Sequence, residues 1–352
     1  MGMSVLIVFT IAANSVVMIC IRKDKALRTV SNIYIFSLAV ADSLVGCPGM
    51  LGMTLITAHG QWPLGVKLCT VWIFIDSTCI SVSMINFCLI AHDRYLALVQ
   101  PLTYQQQRTT KDALIRICVM WAVCIIHWII CVVIDRHVIK SDLDPTYCFY
   151  VPSPILTLIQ TVLVYHTPIG IMIYLYCCCL VALRKRYLRT ANGIVLTLTN
   201  PEVSSVHSPS KEMVTGGNIN PPLARSTNPN RLRPVEEERS SISFTHRGNG
   251  GSSTNNSKQT LQQEKAQRQM RNVRMLGITM AFFVFSWLPF CIFWPIVAYC
   301  SDCIPLPAYE YAYWSAYLNS PINPLLYFMC NRDFRTALKK LCGRVRHPIV
   351  PD

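Results

Sequence analysis

The stretch Lys67-Leu68-Cys69-Thr70-Val71-Trp72-Ile73-Phe74-Ile75-Asp76 opens an apolar run that ends at Asp93-Arg94. Read as one helix over 67–92, it is long enough to cross a bilayer, which takes about 20 mostly apolar residues. At 1.5 Å per residue, the 18 residues from Asp76 to Arg94 cover about 27 Å. One helix therefore carries a carboxylate near one membrane face and a charged pair at the other. That suits a signal read on one side and delivered on the other.

Further apolar runs at 3–21, 31–57, 113–134, 155–182, 272–299 and 308–329 bring the number of predicted spans to seven. Of the 352 residues, 52% are hydrophobic and 14% charged, whereas soluble domains carry roughly 25% charged residues. A bilayer is the solvent that fits. The net charge of +14 does not mark a nucleic-acid binder, because the basic residues gather in the connections between apolar runs. Arg22, Lys23, Lys25 and Arg28 follow the first run, and Arg94, Arg108 and Lys111 the third. Arg184, Lys185, Arg186 and Arg189 follow the fifth, and Arg332, Arg335, Lys339 and Lys340 the seventh. The second connection holds no Lys or Arg at 58–66. The positive-inside rule then puts the odd-numbered connections in the cytoplasm and the N-terminus outside, in a multi-pass protein.

The fold class expected is an all-α membrane protein, a seven-transmembrane helix bundle with a short C-terminal amphipathic helix. Residues 1–186 hold helices one to five with their loops, 268–330 hold helices six and seven, and 331–352 hold the amphipathic helix and a short tail. Residues 187–267 are rich in Ser, Thr, Asn, Gly and Pro. Such a composition cannot bury enough apolar surface to fold alone, so a mostly disordered cytoplasmic loop with helical ends is expected. The sequon at Asn255-Asn256-Ser257 faces the cytosol on this topology and reads as a chance match.

Ionisable residues inside spans are costly and point to function. Asp42, Asp76 and Asp93 stand out. A structural salt bridge for Asp76 is disfavoured, because no Lys or Arg lies in the outer half of another span. An unpaired buried carboxylate is expensive, so a cationic ligand is its natural partner. Pro168, Pro289 and Pro324 interrupt spans five, six and seven and free backbone carbonyls there. No zinc-type spacing appears among the 17 cysteines, and no nucleophile–base set falls in the spans. Neither an enzyme nor a transporter built on repeated broken helices is indicated.

These residues together resemble the rhodopsin-like G-protein-coupled receptors. The likeness runs through Asn14, Leu38-Ala39-Val40-Ala41-Asp42, Asp93-Arg94-Tyr95, Trp121, Pro168 and Tyr176. It continues through Phe283-Val284-Phe285-Ser286-Trp287-Leu288-Pro289, Asn323-Pro324-Leu325-Leu326-Tyr327 and Phe334. Each motif is weak alone; their order, with at least one per span, is specific. Since the first span begins almost at Met1, a longer outer segment is expected to be missing or unusually short.

The resemblance implies a disulfide between Cys69 and Cys148, a short outer disulfide between Cys300 and Cys303, and lipidation at Cys342. It implies that Asp93, Arg94, Tyr95, Tyr176, Asn323, Pro324 and Tyr327 carry activation. It also implies a sodium pocket of Asp42, Asn14, Ser83, Asn319 and Asn323. No other cofactor is implied. The partners implied are a small cationic amine, a heterotrimeric G protein, arrestin, a receptor kinase and the plasma-membrane bilayer, with no nucleic acid.

Within the family the chain is similar to aminergic receptors. Asp76 falls where they keep the carboxylate that pairs the ligand ammonium, and Trp314 and Tyr317 match as well. Trp287, Phe290, Trp294, Tyr313 and Tyr317 would wall the pocket, since aromatic faces attract a cation. Ser77, Thr161 and Cys291 complete the expected ligand set. Pro101-Leu102-Thr103-Tyr104, Arg108-Thr109-Thr110, Cys148-Phe149 and Tyr313-Trp314 look like muscarinic acetylcholine receptors. The pocket departs from that pattern at Ser77, Phe290, Cys291, Ile80 and Ser81, and Gln160 and Thr161 resemble receptors for histamine or monoamines. Acetylcholine is the first expectation, and histamine or another monoamine the second. An opsin is excluded, for no Lys occurs at 308–331. Where inactive amine receptors often pair the arginine equivalent to Arg94 with a glutamate, this chain has Gln269, so raised basal signalling is expected.

Overall fold

The computed structural model describes residues 2–100, 104, 108–135, 148, 150, 153–199 and 251–343. Side chains are described for the same residues apart from 186–199, 251–269 and Asn272. Every regular element among them is helical. Helix α1 is Gly2–Lys23. Helix α2 runs Val30–Leu44, through a π turn Val45–Gly49, into Met50–His59. Helix α3 is Gly65–Val99 and α4 is Thr110–Ile134. Helix α5 comprises Pro154–Gln160, a π segment Thr161–His166 and Thr167–Thr199. Helix α6 is Gly251–Tyr299. Helix α7 is split into Leu306–Tyr317 and Asn319–Cys330, and α8 is Arg332–Leu341.

Residues 1–187 and 264–352 form one compact unit, and 188–263 a second. In the second unit the ends 188–199 and 251–263 are helical. The expected loop between them, at 200–250, lies outside the described residues. So do Pro101, Leu102, Thr103 and Phe149, and the Gln269 side chain.

Among the described residues, six helices are long and apolar enough to cross a membrane. The seventh span is divided at Leu318, which leaves two pieces of 12 residues. Pro321 and Pro324 explain the division, for neither can donate to the carbonyl four residues back. The freed Ser320 carbonyl accepts from Asn14 Nδ2 at 3.1 Å, so α1 supplies the bond that α7 cannot make. Pro48 acts similarly in α2 and lies inside its π turn.

Helix α3 is the enclosed element of the bundle. Of its most apolar window 67% is buried, against 17% for α4. Leu114, Val119, Val123, Ile126 and Ile130 of α4 are all exposed. An apolar face that long suits lipid rather than water. Across the α2–α3–α4 crossing, Ser37 Oγ accepts from Trp121 Nε1 at 3.1 Å and from Asn86 Nδ2 at 3.2 Å. Such bonds across membrane helices contribute about 0.6 kcal/mol each. At the inner end the α8 residue Phe334 is fully buried against Tyr327, with ring centroids 5.7 Å apart. Asn331 caps α8 by accepting from the Asp333 amide at 2.9 Å.

Candidate functional site

On α3, Trp72 and Asp76 are four residues apart and so share one face. That face meets two glycines of α2. A Cβ at Gly49 would collide with Asp76 Oδ1, and one at Gly52 with the Trp72 indole. Trp72 Nε1 donates to the Gly49 carbonyl at 3.1 Å, which pins the two helices together at this level. The two glycines therefore let α3 seat a carboxylate and an indole against α2. Asp76 is 3% exposed, and its Oδ1 has no hydrogen-bond partner. The Tyr317 hydroxyl of α7 lies close to the carboxylate, short of good hydrogen-bond geometry. Among the described residues, no Lys or Arg forms an ion pair with Asp76.

Tyr165, Tyr313 and Tyr317, which feel the charge of this carboxylate, belong to a continuous aromatic cluster. Trp287 and Phe290 are 5.8 Å apart, Phe290 and Trp294 5.6 Å, Phe290 and Tyr313 4.9 Å, and Tyr313 and Tyr317 6.0 Å. These are five residues expected from the sequence, brought together by α6 and α7. Cys291 is buried in the same helix, and Ser77 is half-buried beside Asp76. Trp314 turns toward α2, where its Nε1 donates to Thr57 Oγ1 at 3.4 Å. Thr161 is buried, but its hydroxyl donates to the Thr157 carbonyl.

The cluster also holds residues not anticipated. Tyr165 packs against Trp287, Phe290 and Trp294 at 5.5–5.6 Å. It lies within the π segment of α5, where one extra residue per turn shifts which side chains face inward. Tyr309 stacks on Phe290 at 6.3 Å. Tyr150 meets Trp128 edge-on at 5.5 Å, and its carbonyl accepts from Trp294 Nε1 at 3.0 Å. Gln160 Nε2 donates to Tyr150 Oη at 3.1 Å and to Cys131 Sγ at 3.0 Å. Its Oε1 is left buried and unpartnered. Disulfides join Cys69 to Cys148 and Cys300 to Cys303, the first anchoring α3 to the segment that carries Tyr150.

Deeper in the bundle, Asp42 is fully buried. Its Oδ1 accepts from Ser83 Oγ at 3.2 Å and Ser320 Oγ at 2.9 Å, and its Oδ2 from Asn323 Nδ2 at 2.8 Å. Ser320 was not among the expected members, although it adjoins Asn319. The Oδ1 atoms of Asn14, Asn319 and Asn323 are buried acceptors with no donor. Hard oxygen donors clustered around one carboxylate fit a small cation.

At the inner end Asp93 has several partners. Ser31 Oγ and Tyr104 Oη each donate to it at 2.6 Å. Burial, and then the Asp93 charge, raise the pKa of Tyr104, so its phenol keeps the donated proton. Arg108 Nη2 lies 3.2 Å from Asp93, whereas Arg94 Nη2 lies 3.9 Å away. Arg94 borders a small recess with Phe87, Met275, Leu276, Thr279 and Tyr327. Phe87 meets Phe283 at 4.8 Å, and Phe283 meets Trp287 at 6.1 Å. Ring contacts thus run from the outer cluster toward Arg94. Tyr176 packs into α6, where a Cβ at Gly277 would collide with its phenol. Tyr95 packs by the buried trio Leu98, Cys179 and Val273. Pro324 is buried in α7, and Cys342 is exposed just past α8.

Residues 13–327 match the family model for the 7 transmembrane receptor (rhodopsin family). The 5-hydroxytryptamine receptor 1B of Homo sapiens is 30% identical over 344 residues, covering 94% of this chain and 82% of the relative. That of Felis catus is 31% identical over 354 residues, covering 96% and 85%. The probable G-protein coupled receptor No18 of Amphibalanus amphitrite is 28% identical over 361 residues, covering 96% and 88%. With a bundle of seven membrane-crossing helices, an amphipathic eighth and a family match over most of its length, this chain belongs to the rhodopsin family of seven-transmembrane receptors and is a signalling protein, not an enzyme.

Proposed function

We propose that the chain is a plasma-membrane receptor, N-terminus outside, for a small biogenic amine, and that it acts through a heterotrimeric G protein. The observation that carries this is the Asp76 carboxylate: buried, unpartnered at Oδ1, and within electrostatic reach of Tyr165, Tyr313 and Tyr317 of the aromatic cluster. A buried charge needs a counter-charge, and an ammonium ion under aromatic faces gains about 2 kcal/mol or more when desolvated. In this reading Tyr317, Tyr313, Trp287, Phe290 and Trp294 enclose the cation. The ligand acts by binding the active state better than the inactive one.

We read the unpaired polar atom of the Gln160 amide as its Oε1, which favours an amine with a hydrogen-bond donor at its far end. A buried acceptor left unpaired costs about 1–3 kcal/mol, so a ligand that supplies a donor gains by it. Acetylcholine, the first expectation from sequence, has no donor; 5-hydroxytryptamine and histamine do. The relatives named for 5-hydroxytryptamine support the same side. Radioligand displacement by 5-hydroxytryptamine, histamine and acetylcholine, on the wild type, Asp76→Asn and Gln160→Leu, tests both parts. Amine binding that survives Asp76→Asn overturns the ion pair. Acetylcholine binding tightest, and unchanged in Gln160→Leu, overturns the donor preference.

The oxygen cluster at Asp42 supports an allosteric sodium ion that holds the inactive state. Agonist affinity should then be lower in sodium chloride than in N-methyl-D-glucamine chloride, and the difference should vanish in Asp42→Asn. The exposure of Cys342 just past α8 supports reading it as an S-acylation site. Arrestin and a receptor kinase are further partners in this reading.

A further inference from the structure

The inner end of α3 holds more than an Asp–Arg pair. Asp93 is buried, and both of its oxygens are engaged by groups from outside α3. Ser31 of α2 and Tyr104 donate to it, and Arg108 reaches both oxygens, at 3.2 Å to Oδ1 and 3.3 Å to Oδ2. Arg108 is itself held, because its guanidinium donates to Ser31 Oγ and lies 4.7 Å over the Tyr104 ring. Arg94 is left with one contact to Asp93, at 3.9 Å. Both arginine side chains are about one-fifth exposed, at 22% for Arg94 and 21% for Arg108. Screening is therefore similar for the two, and distance decides in favour of Arg108. A carboxylate has about four acceptor sites, so bonds to Ser31, Tyr104 and Arg108 leave little for Arg94.

We infer that Arg108 is a positioning residue for Arg94: it occupies Asp93, leaves Arg94 loosely held, and so biases the inner face toward coupling. This rests on the reading of Arg94 as the coupling residue. It differs from the expectation drawn from Gln269, which concerns a partner on α6; here the competitor comes from just before α4. Removing Arg108 should hand Asp93 back to Arg94 and quieten the receptor.

The test is constitutive nucleotide exchange on purified G proteins of each class, in membranes matched for receptor number, with no amine present. Wild type should exceed receptor-free membranes. Arg108→Gln should lower that exchange about fivefold, the low end of typical coupling effects. Arg108→Lys, which keeps the charge, should restore most of it. In an Asp93→Asn background, Arg108→Gln should change nothing. Equal exchange in wild type and Arg108→Gln overturns the proposal, as does no exchange in wild type. A drop that persists in Asp93→Asn also overturns it, since Arg108 would then touch the G protein directly. Arg94→Ala separates the underlying reading: exchange that survives it shows that Arg94 is not the coupling residue.

Discussion

Asp76 and Asp93 lie on one helix and are both buried, at 3% and 6% exposure. Asp93 accepts from a serine, a tyrosine and an arginine. Asp76 has an unpartnered oxygen set against a glycine. The inner carboxylate is satisfied by the protein; the outer one is not. A buried carboxyl without a partner either takes up a proton or is paired by a charge from outside the chain, and a cationic ligand supplies the second. The contrast separates a group built to hold structure, and to release it, from a group built to bind.

The comparison breaks most visibly at Asp76 itself. Asp76→Asn keeps the shape and removes the charge, and amine affinity should fall by about 3 kcal/mol, roughly a hundredfold. A neutral antagonist of the same pocket should lose far less. Saturation binding on membranes with equal surface expression checks this. Equal losses for charged and neutral ligands would make Asp76 structural, like Asp93.

Gly49→Ala sharpens the same contrast from the other helix. Its Cβ would push the carboxylate away from α2. Amine affinity should drop about tenfold, whereas Gly49→Ala in an Asp76→Asn background should add little, as expected of a coupled pair. Additive losses would mean that the glycine serves helix packing alone.

Gln269→Glu tests whether the inner end is set loose by choice of residues. The added carboxylate offers Arg94 a second partner beside Asp93, whose contact with it is long at 3.9 Å. Basal second-messenger output should fall by a few-fold, near the lower limit of measured couplings. Unchanged basal output would assign the bias to Arg108 alone.

Much of this arrangement was readable from residue order, and the reasons are physical. Long apolar runs mark spans because a bilayer demands about 20 such residues. Asp76 stood out because an ionisable residue inside a span is costly, whereas Trp287 and Tyr317 came from the family resemblance. Tyr165 and Tyr309 did not, since a tyrosine on an apolar helix gives no sign of the face it takes. For Tyr165, the π segment Thr161–His166 sets that face, and no residue count reveals it. Tyr150 sits outside any periodic element. Gly49 escaped notice because its contribution is the space it leaves. Pro324 was visible and Pro321 went unremarked, but that Asn14 of α1 bonds the carbonyl freed in α7 is a contact across 306 residues that no local pattern reveals.

The smallest expected effect lies at the α8 end of the bundle, where Lys340 of α8 meets Asp24 beyond α1 at 3.0 Å. Asp24 resembles Asp93 in being satisfied by the protein, but it is near water. The Ala26 amide, and then Lys340, lower its pKa. A carboxyl held low in the folded state stabilises the fold above its ordinary pKa, and that contribution is lost as the pH falls through the folded value. Because the pair is open to solvent and screened by salt, Lys340→Ala should cost under about 1 kcal/mol. Thermal unfolding of the detergent-solubilised receptor should show a small loss at neutral pH that shrinks in high salt and in acid. The Asp24→Asn loss should be the larger of the two, since it also weakens the Ala26 bond that ranks first. If Lys340→Ala cost more than Asp24→Asn, the lysine would be holding α8 by something other than this carboxylate. The grading by exposure, from Asp76 through Asp93 to Asp24, would then not govern how much each charge is worth.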